Sequence, residues 1–165
     1  MAAASSGLPD AVSAALKRKL DVNGGPVAPL LWAAAIDYPR AIDSVRADRG
    51  RVIDMLVAAG AAIETETGNG SPLVANWMGF PEVTAALIKH GAKLDARDSD
   101  GQTALMTNKS VRSVELLLAA GADPYLQDHE GRNAIEVAQA DVFAQDIVPV
   151  LGRWMATHAP NTVRH

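Results

Sequence analysis

Three segments of this chain end alike: Met55-Leu-Val-Ala-Ala-Gly60-Ala61, Ala86-Leu-Ile-Lys-His-Gly91-Ala92 and Leu116-Leu-Leu-Ala-Ala-Gly121-Ala122. Their glycines recur at intervals of 31 and 30 residues. A period in that range marks one supersecondary unit per repeat, which buries its apolar face only by stacking on a neighbour. Before each glycine runs an apolar stripe at helical spacing: Val52, Ile53, Leu56 and Val57, then Val83, Leu87 and Ile88, then Val114, Leu117 and Leu118. Such a stripe is one face of an amphipathic helix. The glycine after it can take the positive φ that ends a helix.

A second helix start precedes each stripe. Gly101-Gln-Thr103-Ala-Leu105 and Gly131-Arg-Asn133-Ala-Ile135 carry good N-cap residues, as does Gly70-Ser71-Pro72-Leu73. Ala28-Pro29-Leu30 has the proline without the cap, so that helix should start less firmly. Between helix pairs lie polar stretches such as Lys93–Asp100, which read as turns or hairpins. One unit is therefore helix, loop, helix, glycine stop and extended turn.

Hydrophobic residues make up 48% of the 165, but aromatics only 4%. Small aliphatic side chains suit closely packed helices better than a two-sheet sandwich. The formal net charge is −4, and the densest basic cluster is Lys17, Arg18 and Lys19, too short for a nucleic-acid footprint. That cluster suits a helix C-terminus. The chain has no cysteine, hence no disulfide or thiolate site. No apolar run is long enough to span a bilayer, and Met1–Asp10 lacks the pattern of a signal peptide. A cytoplasmic monomer is the expectation.

The unit strongly resembles the ankyrin repeat, on the Gly-x-Thr-Ala-Leu of 101–105, the Leu-Leu-Leu-Ala-Ala-Gly-Ala-Asp-Pro of 116–124 and the Gly-Ser-Pro-Leu of 70–73. Gly79-Phe-Pro-Glu-Val83 is similar to the family's entry into the outer helix, and Asp21-Val22-Asn23 to the segment after its glycine. The resemblance covers roughly residues 8–157 and implies an all-α fold, an ankyrin-type solenoid of stacked helix pairs with projecting turns or short β-hairpins. It implies a single domain over 1–158: an N-terminal half repeat at 8–23, repeats at 28–64, 71–95 and 103–126, a capping repeat at 133–158, and a loose tail at 159–165. In the capping repeat Pro149 fits only a first turn, so the last helix should begin near Val148.

The departures from the family are informative. The first repeat is long, with extra residues around Ile36–Gly50, and the third is short around Thr107–Arg112. The family's histidine is replaced by Leu31, Val74, Met106 and Glu136. Its inner-helix Ala-Ala persists at Ala33-Ala34 but becomes Asn76-Trp77 and Asn108-Lys109.

Candidates for chemistry have plainer readings. His90 precedes a helix-ending glycine, where it would cap carbonyls. His129 falls at a turn tip and suits solvent or partner contact; His158 and His165 are near the tail. Asp95, Asp98 and Asp100 lack the calcium-loop pattern, since Ala96 and Thr107 stand where acids are needed. Gly68-Asn-Gly70 lacks a phosphate-binding lysine and reads as a turn. Nothing points to catalysis, metal or cofactor.

Function should lie in binding another protein, through turn tips and the inner-helix face. The expected contacts on the turns are Glu64, Glu66, Arg97, Asp98, Asp100, Gln102, Asp128, His129, Glu130 and Arg132, which are acidic on balance and suit a basic partner patch. Trp77 and Met78 are either exposed anchors or core. Trp32 reads as core, and Trp154 as the closure of the C-terminal cap. In the insertion, Pro39 could start a lengthened helix carrying Ile42, Val45, Val52 and Leu56 on one stripe. Arg40, Arg46, Arg49 and Arg51 would then project from it beside Tyr38, either as a solvated extension or as a partner-specific element. An inhibitor or immunity-type protein, neutralising one enzyme or toxin by one-to-one binding, is the alternative to a general interaction module.

Overall fold

The computed structural model describes residues 43–63 and 79–158, with side chains from Arg49 onward in the first stretch, and the helical residues Ser13 and Lys17. The regular elements among these residues are α-helices, in chain order α1 (Asp43–Ala58), α2 (Pro81–Lys89), α3 (Ala104–Thr107), α4 (Val111–Ala120), α5 (Ala134–Ala140) and α6 (Val148–Thr157). The described part of the fold is all-α, and what projects from it are hydrogen-bonded turns without strands. No helix among the described residues is long and apolar enough to cross a membrane.

The stripes of α1, α2 and α4 are buried as their spacing requires, with Ile53, Val83, Leu87, Val114 and Leu117 almost wholly out of solvent. Each such side chain contributes roughly 1.5–3 kcal/mol on burial. Helix α1 packs on α2, α2 on α4, and α4 on α6. Helix α3 packs on α4 and α5, and α5 on α6. One continuous core runs through the set.

The three glycine stops share one geometry. Gly60, Gly91 and Gly121 have φ of 92°, 81° and 100°. The following residue reaches back in each case, Ala61 N–H to Leu56 O, Ala92 to Leu87 and Ala122 to Leu117, at 2.9, 3.0 and 3.0 Å. Each glycine N–H bonds the carbonyl three residues earlier. These paired bonds satisfy carbonyls that a helix end would otherwise leave open.

Helix starts also follow local chemistry. Pro81 opens α2 behind an extended Phe80. Asn133 and Glu136 cap α5 reciprocally, Asn133 N–H donating to Glu136 Oε2 at 2.8 Å and Glu136 N–H to Asn133 Oδ1 at 3.2 Å. Helix α6 begins at Val148 with Pro149 in its first turn, as expected. Trp154 packs against the core and stacks on His158, ring centroids 4.3 Å apart. The Tyr125 hydroxyl ties this last helix down by donating to Met155 O at 3.0 Å.

Two expectations need correction. Helix α3 ends at Thr107, so Asn108 and Lys109 belong to the connection rather than to an inner helix. The reason is Asn108, whose backbone is extended and whose buried Oδ1 accepts the Ser110 N–H at 3.2 Å. The lengthened helix of the insertion is present as α1, but Arg49 does not project from it. It is only 4% exposed, and its guanidinium carbon lies 3.5 Å above the centre of the Phe80 ring. Arg51 is exposed.

Candidate functional site

Two turns, thirty residues apart, are built from the same bonds. In the first, Asp98 N–H donates to Gln102 O at 3.0 Å, while Asp98 Oδ1 accepts Asp100 N–H at 2.9 Å and Gln102 N–H at 2.8 Å. In the second, Asp128 N–H donates to Arg132 O at 2.9 Å, and Asp128 Oδ1 accepts Glu130 and Arg132 N–H, both at 2.9 Å. An aspartate at the first position closes the loop because its short carboxylate reaches N–H groups two and four residues on. Gly101 and Gly131 then supply positive φ.

The turns are joined to one another. His129 N–H donates to Asp100 O at 3.0 Å. Arg97 donates to Gly101 O at 3.0 Å in its own turn and to Gln127 O of the next. Asp95 Oδ1 accepts Asp123 N–H at 3.0 Å. The His129 ring sits against Gly101, where an added Cβ would come within 2.6 Å of His129 Cδ2.

This arrangement sorts the expected contact residues. Arg97, Asp100, Gln102, His129, Glu130 and Arg132 are exposed or half-buried along the turn tips. Asp128 is not available to a partner. Its side chain is 1% exposed, and Oδ2 accepts both Nε (3.0 Å) and Nη2 (2.8 Å) of Arg132. Burial pushes the Asp128 carboxyl up, but the backbone and guanidinium hydrogen bonds from Arg132 and the Glu130 N–H outweigh it and hold the pKa below its ordinary value. The Asp98 carboxylate is likewise used within its turn. Glu64, Glu66, Trp77, Met78, Tyr38 and Arg40 lie outside the described residues, and of Arg46 only the backbone, within α1, is described. His90 caps no carbonyl with its ring; Nε2 lies 2.6 Å from Asp54 Oδ1, which also accepts Lys89 Nζ at 3.0 Å. Those two bonds, His90 first, hold the Asp54 carboxyl below its usual range.

A groove of about 570 Å³ opens beside the turns. Its lining includes Gln102, Met106, Lys109, Arg132, Val137 and Phe143. Sequence reasoning missed most of it. Val142 and Phe143 are 76% and 81% exposed, the large apolar side chains most open to solvent among the described residues. The available signal was an adjacent apolar pair in a polar connection, Asp141-Val-Phe-Ala-Gln145. Lys109 forms an ion pair with Asp141, and partial burial lowers its pKa.

No family model matches the chain. Over 68 residues it is 29% identical to BCL-6 corepressor-like protein 1 of Homo sapiens, a match covering 39% of this chain and 4% of that protein. The chain thus corresponds to a small fraction of that relative's length.

Proposed function

We propose that the chain is an ankyrin-type repeat protein that acts by binding another protein and not by catalysis. The observation that carries this reading is the pair of matching turns, Asp98–Gln102 and Asp128–Arg132, cross-linked by His129 N–H to Asp100 O. Their bonds are spent on holding the tips, so the outward side chains Asp100, His129 and Glu130 are presented in a fixed row. A row ordered before binding has little conformational entropy left to lose on association. Carboxylates outnumber cations along it, which favours a basic patch on the partner.

The test is affinity capture with the full chain from its source, followed by Asp100→Lys with Glu130→Lys. These carboxylates are exposed, so the fold should survive, and partner binding should fall at least about tenfold. Binding unchanged by the double reversal would overturn the assignment to the turn tips. A captured enzyme that loses activity at one-to-one stoichiometry would identify the inhibitor form of the same function.

A further inference from the structure

We infer that the groove between the turns and the 141–147 connection receives a partner segment in which an apolar side chain is flanked by lysine or arginine. The inference rests on the binding function proposed above and names the chemistry of the occupant. Its apolar part follows from the groove itself. Val137, half-buried, and Met106, almost wholly buried, line it, and Phe143 stands beside them almost fully in solvent.

The main chain that carries the exposed Phe143 is held in place. Asp141 Oδ1 accepts its N–H at 2.8 Å, and Asp141 Oδ2 pairs with Lys109. Gln145 Nε2 donates to Asp141 O at 2.8 Å and lies 3.3 Å from the carbonyls of Ala138 and Gln139. A connection braced by side chains from both ends, yet presenting an aromatic to water, has the form of a preorganised interface anchor.

The basic part follows from charge. Lys109 and Arg132 are the cations at the groove, and both are occupied: Lys109 by Asp141, Arg132 by Asp128 and by Glu130 at 3.0 Å. Against these two cations stand four carboxylates, Asp100, Asp128, Glu130 and Asp141, along the groove and the adjoining polar hollow. The surplus is negative. Asp100 is exposed at the tip. A segment that seats an apolar side chain against Phe143 can thus lay a cation toward Asp100 and Glu130, whereas an acidic segment meets repulsion.

The experiment is a titration of the isotopically labelled full chain with two pools of short synthetic peptides, followed by NMR. Both pools carry a Leu or Phe anchor; one has Lys and Arg around it, the other Asp and Glu. The basic pool should shift the resonances of Gln102, Met106, Val137 and Phe143 saturably. Phe143→Ser should weaken it at least about tenfold, and Asp100→Lys should move preference toward the acidic pool. Both substituted side chains are exposed, so an unchanged thermal midpoint controls for folding. Equal or tighter binding of the acidic pool, indifference to Phe143→Ser, or no groove shifts with either pool overturns the proposal. Should it fail while the captured partner is still lost on the double charge reversal, the turn-tip function stands and only the groove falls.

Discussion

The main-chain N–H of His129 donates to the carbonyl oxygen of Asp100 across 3.0 Å, joining residues from two successive turns. That bond sets the separation of the tips. Arg97 reinforces it by bridging Gly101 O and Gln127 O. The backbone from which side chains project along the row is thereby fixed.

Asp128 should be the more sensitive of the two turn aspartates. Asp98 uses one oxygen for two backbone N–H groups, whereas Asp128 also holds the Arg132 guanidinium. Asp128→Ala should lower the thermal midpoint more than Asp98→Ala. The Asp128 carboxyl has a folded pKa below its ordinary 3.8, so it binds a proton less readily in the folded state. Its contribution is complete above the unfolded value and is lost as pH falls through the folded one. The gap between the melting curves of wild type and Asp128→Asn should be full above about pH 4 and narrow progressively as pH falls below it; a constant gap down to about pH 2 would contradict this linkage.

Gly79 should tolerate alanine less well than Gly121. Both have positive φ, 71° and 100°. At Gly121 an added Cβ meets nothing, so Gly121→Ala should cost about 1–2 kcal/mol in backbone strain. At Gly79 it would collide with Asn108 Oδ1 and the Ser110 backbone. The same approach lets Ser113 Oγ donate to Gly79 O at 2.9 Å while accepting from Thr84 Oγ1 at 3.2 Å. Urea denaturation of the two variants should show the larger loss for Gly79→Ala.

Leu117→Ala should cost about 2–5 kcal/mol, because Leu117 is fully buried on α4, which packs on α2, α3 and α6. Loss of under 1 kcal/mol in denaturant titration would mean that the helices do not share a core.

Arg49 and Phe80 should couple. A double-mutant cycle with Arg49→Met and Phe80→Leu should return about 0.5–2 kcal/mol, the range for a cation over a ring. Additive effects would show that the guanidinium is held by other contacts.

Much of the helical framework was legible in the chain. The stripes before Gly60, Gly91 and Gly121 specified which faces go inward, and Asn133 and Pro149 marked helix starts, since all of these act over a single turn. The fates of individual polar and exposed residues were not legible. Arg49 turned inward because Phe80, thirty-one residues on, offers its ring. Asp128 has the position of a contact residue at a turn tip, yet Arg132 and the turn N–H groups enclose it.

The sequence by itself determined where the helices before Gly60, Gly91 and Gly121 stop and which side of each is apolar, because those signals are carried by near neighbours in the chain. Only the tertiary structure decided that the two turns lie against each other, that Asn108 and Lys109 leave the helix, and that Phe143 stands in solvent beside Met106 and Val137. Those outcomes depend on groups that periodicity cannot relate, brought within bonding distance when one unit packs on the next.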